Sequence, residues 1–215
     1  MTQAMTQAMT PAMTPETLFL LALFVVVMVG SPGPANALFL ASGATVGVRR
    51  TLPFLAGTLV GFAAVGIAIA LGLNSLLEDR PDVALVLSVA SLAYMLYLAW
   101  RIATAPPLTQ SSVEPLGFRD GLALHPLNPK AWVMLTAAFA QFATPGHGYI
   151  QQAAIIVAAF VLLGAPLNVL WAVGGEWLTK RITSPGLQRG INLFMGTATA
   201  VVVLALVLGG AEAGP

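Results

Sequence analysis

Six long runs of apolar residues, divided by short polar connections, organise this chain. They cover roughly residues 17–48, 53–77, 83–103, 118–143, 149–177 and 190–210. About 20 apolar residues cross a bilayer as a helix, and every run is long enough. Lipid offers no partners to free backbone N–H and C=O groups, so each run is expected to be helical. One such run alone fits the buried helix of a large soluble core. Six of them within 215 residues leave no polar shell for such a core.

Composition strengthens this reading. Hydrophobic residues make up 58% of the chain and charged residues only 8%, against about 25% charged in a typical soluble domain. A net charge of +1 gives no reason to expect a nucleic-acid partner. With no cysteine there are no disulfides, thiolate metal sites or thiol nucleophiles. Two histidines do not suggest a His-rich metal site, and no cofactor is expected. The partners implied are the lipid bilayer and a small-molecule substrate, with room left for a homo-oligomer.

Residues 1–15 carry a four-residue repeat, MTQAMTQAMTPAMTP, with no hydrophobic face to bury, and are expected to be disordered. Its four methionines leave the start codon open. No Lys or Arg precedes the first apolar run, so the positive region of a signal peptide is missing. The first run is therefore expected to stay in the mature protein, within a single domain over 16–211.

The connections are Arg49-Arg50 and residues 78–82, 104–117, 144–148 and 179–186. With the N-terminus outside, Arg49, Arg50, Arg101, Arg119, Lys180, Arg181 and Arg189 fall on the inner side, and only Arg80 falls outside. Basic residues concentrate on the cytoplasmic side of membrane proteins. Both termini are thus expected outside, in the periplasm of a bacterium, with the chain in the inner membrane.

Two runs are interrupted. Gly30-Ser31-Pro32-Gly33-Pro34 sits near the centre of the first, and His125-Pro126-Leu127-Asn128-Pro129 divides the fourth. Proline removes a backbone donor and clashes with the preceding turn, so both helices should break. Pro34 and Pro129 lie 95 residues apart, close to half of the ordered chain. The fold expected is an all-α membrane protein of six transmembrane helices, arranged as two inverted three-helix repeats (about 16–104 and 113–211). Its first and fourth helices are broken at prolines. Inverted repeats with discontinuous helices are a transporter architecture, with substrate bound near the midplane.

The breaks also carry the candidate chemistry. Pro34 and Pro129 suit the first position of a restarting helix. Asn128 is a natural N-cap, and Ser31 or Gly33 stands at the equivalent end in the first half. In inverted halves both positive helix ends point at the midplane, where free N–H groups and the helix dipole favour an anion such as a carboxylate. Lys130 opposes the dipole of its own helix; it either holds a substrate carboxylate or carboxylate partner, or snorkels to the cytoplasmic interface. Asn36 either offers its amide to an amino acid or ties two helices together. Asp120 and Glu176 are candidates for a coupling proton, though each has a partner nearby; Glu176 stands at i,i+4 to Lys180. His125 titrates near neutral pH in principle, but a lone histidine beside a break is more often structural. Asn168 and Gln141 are weaker candidates for a path lining, and Gly57 with Gly61 forms a GxxxG suited to close helix packing.

At these residues the chain resembles a known family. Ser31-Pro32-Gly33-Pro34 with Asn36 looks like the PGP signature of the lysine exporter and homoserine/threonine exporter family. Phe118, Gly121, Asn128, Pro129 and Lys130 resemble its second signature, Phe-x-x-Gly followed by Asn-Pro-Lys. The resemblance extends from about residue 17 to 210. It implies export of amino acids or their derivatives, driven by the proton gradient, with Ser31, Gly33, Pro34, Asn36, Asn128, Pro129 and Lys130 as substrate-binding candidates. His125-Pro126 departs from the pattern, since relatives often carry Asn and an aliphatic residue there. Alternatives are a carrier for another small solute or ion, or an intramembrane enzyme. The enzyme lacks support, because no His cluster, acid pair or activated serine is visible inside the spans.

Overall fold

In a computed structural model of the chain, residues 13–105, 115–146, 148–182 and 184–212 are described. Most of the N-terminal repeat and most of the 104–117 connection lie outside these. The described residues form helices and no strands. In chain order they are α1 (Pro15–Gly30), α2 (Pro34–Val46), α3 (Val48–Ala70), α4 (Leu73–Asp79), α5 (Pro81–Ala103), α6 (Phe118–Leu124), α7 (Pro129–Phe142), α8 (Tyr149–Arg181) and α9 (Pro185–Glu212). Among the described residues α3, α5 and α8 are each long and apolar enough to cross a membrane, and α1 with α2 makes a fourth if the bent pair is one span.

Local chemistry explains the ends. Thr14 caps α1, its hydroxyl accepting from the Thr17 amide at 3.2 Å, with Pro15 at the first helical position. Between α1 and α2 the axis bends by 62°. Ser31 and Gly33, each followed by proline, are both extended (ψ 141° and 176°), because the proline ring crowds the α conformation of its predecessor. Asn128 before Pro129 is extended for the same reason, at φ −112° and ψ 108°.

Several boundaries differ from the sequence expectation, two of them for a clear local reason. Arg49 and Arg50 are not a connection but the first turn of α3; the chain reverses one step earlier, at Gly47, whose φ of +80° suits glycine. The second apolar run, read as 53–77, ends at Ala70, and a left-handed Gly72 (φ +91°) starts the separate short helix α4.

The helices meet closely where they lack side chains. A Cβ on Gly57 would strike the Phe118 carbonyl oxygen and one on Gly61 the Leu122 carbonyl, so α6 lies directly on α3. Gly121 returns the contact against Phe54 and Thr58. On α8, Gly175 faces the Leu40 carbonyl of α2, while Gly43 of α2 faces Ala172. Such crossings bring backbones together and gain dispersion contact where lipid gives no hydrophobic drive between helices. The α1/α2 pair packs on α8, α6 on α3, and α5 on α9. Two buried clusters result. One joins Leu21, Val25, Phe62, Leu135 and Ile156, the other Leu38, Phe39, Phe54, Met95 and Leu98.

Candidate functional site

The two interruptions meet. Gly33, N-cap of α2, packs against the stem of Lys130, the second residue of α7; a Cβ there would lie 2.9 Å from its Cδ. Lys130 Nζ donates to the Ser31 carbonyl at 2.7 Å, to Ser31 Oγ at 2.9 Å and to the Pro32 carbonyl at 3.3 Å. The ammonium therefore reaches into the first break. It bonds the C-cap residue of α1, the end of a helix where a cation is favoured.

Neighbouring polar groups complete the joint. Ser31 Oγ donates to the Met28 carbonyl at 2.8 Å. Asn36, buried in the first turn of α2, donates from Nδ2 to the Val29 carbonyl at 2.8 Å and to Ser31 O at 3.2 Å. Its amide thus ties α2 back to the end of α1. Asn128 is almost wholly buried, and its Oδ1 accepts from the Lys130 amide at 3.1 Å, capping α7. Trp132 Nε1 donates to the Pro126 carbonyl at 2.9 Å, pinning the turn that carries His125.

A small, partly open cavity lies at this junction. Its polar wall is Asn36, His125, Asn128, Lys130 and Asn168; Met28, Leu59, Phe62, Met134 and Phe160 supply apolar walls. Of the sequence candidates, Asn36, Asn128 and Lys130 line it directly, and Ser31 and Gly33 bond or pack against Lys130. Pro34 and Pro129 open the two helices that frame it.

Asp120 and Glu176 lie elsewhere. Asp120 Oδ2 accepts from the Gly117 amide at 2.7 Å, and its other oxygen is 3.8 Å from Arg101. Glu176 Oε2 accepts from the Val48 amide at 2.8 Å, capping α3, while Oε1 pairs with Lys180 at 2.7 Å. Each carboxylate holds the start of a helix, and neither lines the cavity. Phe62 and Phe160, whose rings stand 5.0 Å apart, escaped the sequence reading; an aromatic residue inside an apolar helix gives no signal of its own. Gln141, near the far end of α7, is exposed and away from the cavity.

The chain is 35% identical over 169 residues to a cysteine/O-acetylserine efflux protein of Klebsiella pneumoniae, covering 77% of this chain and 85% of that one. It is 30% identical over 171 residues to proteins of the same name in Salmonella typhimurium and Escherichia coli K12, covering 79% of this chain and 88% of each. No solved structure matches. Residues 25–210 match the family described as LysE type translocator, and the chain belongs to that family.

Proposed function

We propose that this protein exports small amino acids or their derivatives from the cytoplasm by alternating access, driven by the proton gradient. Membership of a translocator family makes it a membrane transporter and not an enzyme. The observation that carries the export reading is the junction of the two breaks. Two helix starts, 95 residues apart in sequence, frame one cavity with an ammonium beside them. Helix N-termini and a lysine suit a carboxylate, and the apolar walls suit a short side chain. The relatives' names, cysteine/O-acetylserine efflux proteins, favour the same size of substrate.

The transport unit is residues 16–211, read as six spans in two inverted halves with the first and fourth spans broken. Helix pairing supports this: α1 and α2 pack on α8 while α6 and α7 pack on α3, pairs that exchange when the halves are interchanged. Glycine crossings at Gly43/Gly175 and Gly57/Gly121 leave smooth surfaces on which one half rocks against the other. Both termini are placed in the periplasm of a bacterial inner membrane. Ser31, Gly33, Pro34, Asn36, Asn128, Pro129 and Lys130 form the substrate site, with Asp120 and Glu176 as coupling groups. The test is efflux from vesicles preloaded with a panel of amino acids. Faster loss than from control vesicles, only with a proton gradient, is expected for some member; no movement of any member refutes the reading.

A further inference from the structure

One polar wall of the cavity is left unused by the fold. His125 is 6% exposed, and its Nδ1 is fully shielded with no hydrogen-bond partner among the described residues. The ring stands edge-on to Phe62, 4.8 Å between centroids at 88°, which fixes its plane against the cavity. Packing accounts for that position but not for a buried Nδ1. A phenyl ring fills the same slot without burying polar atoms that lose water and gain nothing.

Three other polar groups of the wall each make at least one bond: Asn36 Nδ2 serves two carbonyls of the first break, Asn128 Oδ1 caps α7, and Lys130 Nζ reaches three acceptors around Ser31 and Pro32. Asn168 of α8 makes none at either end of its amide among the described residues. It is 5% exposed and lines the same cavity. It also borders a smaller cavity lined by Val48, Thr51 and Ala172, toward the Val48 end of α3.

We infer that His125 and Asn168 are the specificity-determining residues of this site, hydrogen-bonding a neutral polar group on the substrate side chain. The inference rests on the transport reading given above. A neutral imidazole has one donor and one acceptor, and an amide has both kinds. Together they suit a hydroxyl, thiol or ester, which an aliphatic side chain of equal size cannot replace. A charged side chain finds no free counter-charge among the lining residues. A site whose buried polar groups are satisfied only by substrate rejects the analogue that leaves them unpaired.

The experiment uses the full chain in proteoliposomes and two size-matched pairs, threonine with valine and cysteine with 2-aminobutyrate. Wild type is expected to export the polar member of at least one pair about tenfold faster. His125→Phe and Asn168→Leu are expected to bring that ratio toward one, while His125→Gln, which keeps a donor and an acceptor, retains much of it. Thermal melting in detergent identifies variants that fold; should His125→Phe fail there, Asn168→Leu decides on the same ratio. A wild-type ratio near one in both pairs overturns the inference, as does an unchanged ratio in a folded His125→Phe or Asn168→Leu protein. Absence of wild-type flux for all four compounds also overturns the inference, whereas absence for every member of the wider amino-acid panel removes the transport reading as well.

Discussion

Lys130 Nζ lies 2.7 Å from the carbonyl oxygen of Ser31, a residue 99 positions earlier, and 2.9 Å from its hydroxyl. One cation thus closes the end of α1 while belonging to the start of α7. The geometry turns the ammonium into the break between α1 and α2.

Lys130→Ala removes all three of these bonds. A hydrogen bond to a charged group contributes about 1.5–3 kcal/mol, so export should fall at least roughly tenfold at unchanged membrane insertion. Wild-type efflux in an inserted Lys130→Ala protein would remove the carboxylate role.

Gly33→Ala tests the same joint sterically. The backbone at Gly33 is extended (φ −175°), which any residue adopts, so the cost lies in the clash. A new Cβ stands 2.9 Å from Lys130 Cδ and 3.0 Å from Nζ, and the flexible lysine must move aside. Severalfold slower efflux with an unchanged melting temperature is expected; equal efflux would show that the lysine position does not matter.

Gly57→Ala should behave differently. Its Cβ meets the Phe118 carbonyl and the Leu122 amide, backbone that no rotamer change can clear. Overpacking of this kind costs about 1–3 kcal/mol or more, so yield of monodisperse protein should drop. Gly30→Ala, with nothing within 4 Å of its Cβ, serves as the tolerated control by the same measurement.

Proton coupling through Asp120 and Glu176 is read with Asp120→Asn and Glu176→Gln. Both variants keep an oxygen to cap Gly117 or Val48, which separates the charge from the structural bond. Loss of gradient-driven efflux with substrate exchange retained is the expected pattern. Full gradient-driven efflux in both variants would exclude these residues as coupling groups.

Orientation is accessible because the chain has no cysteine. Exposed Ser75 and Ser184 become single labels as Ser75→Cys and Ser184→Cys. A membrane-impermeant maleimide added to intact cells should reach position 75 alone; labelling at 184 alone reverses the topology. Thr183, beside it, lies outside the described residues.

The sequence by itself determined the elements that depend on short-range chemistry. Apolar length specified helices for lipid, proline with its restricted predecessor placed Gly33 and Asn128 in extended backbone, and Asn128 could be read as the cap of α7 from its position alone. Gly57 and Gly61 announced a close crossing, though not that α6 would fill it. Partners distant in the chain were decided only by the tertiary structure. No pattern in sequence tells that Lys130 bonds Ser31 99 positions away, that Glu176 caps Val48 128 positions away, or that Asp120 faces Arg101 and not the cavity. Nor could it tell that His125 would be left without a partner while Asn36 spent its amide on Val29 and Ser31. A hydrogen bond depends on where two groups lie in space to within a few tenths of an ångström, and that is fixed by the packing of whole helices.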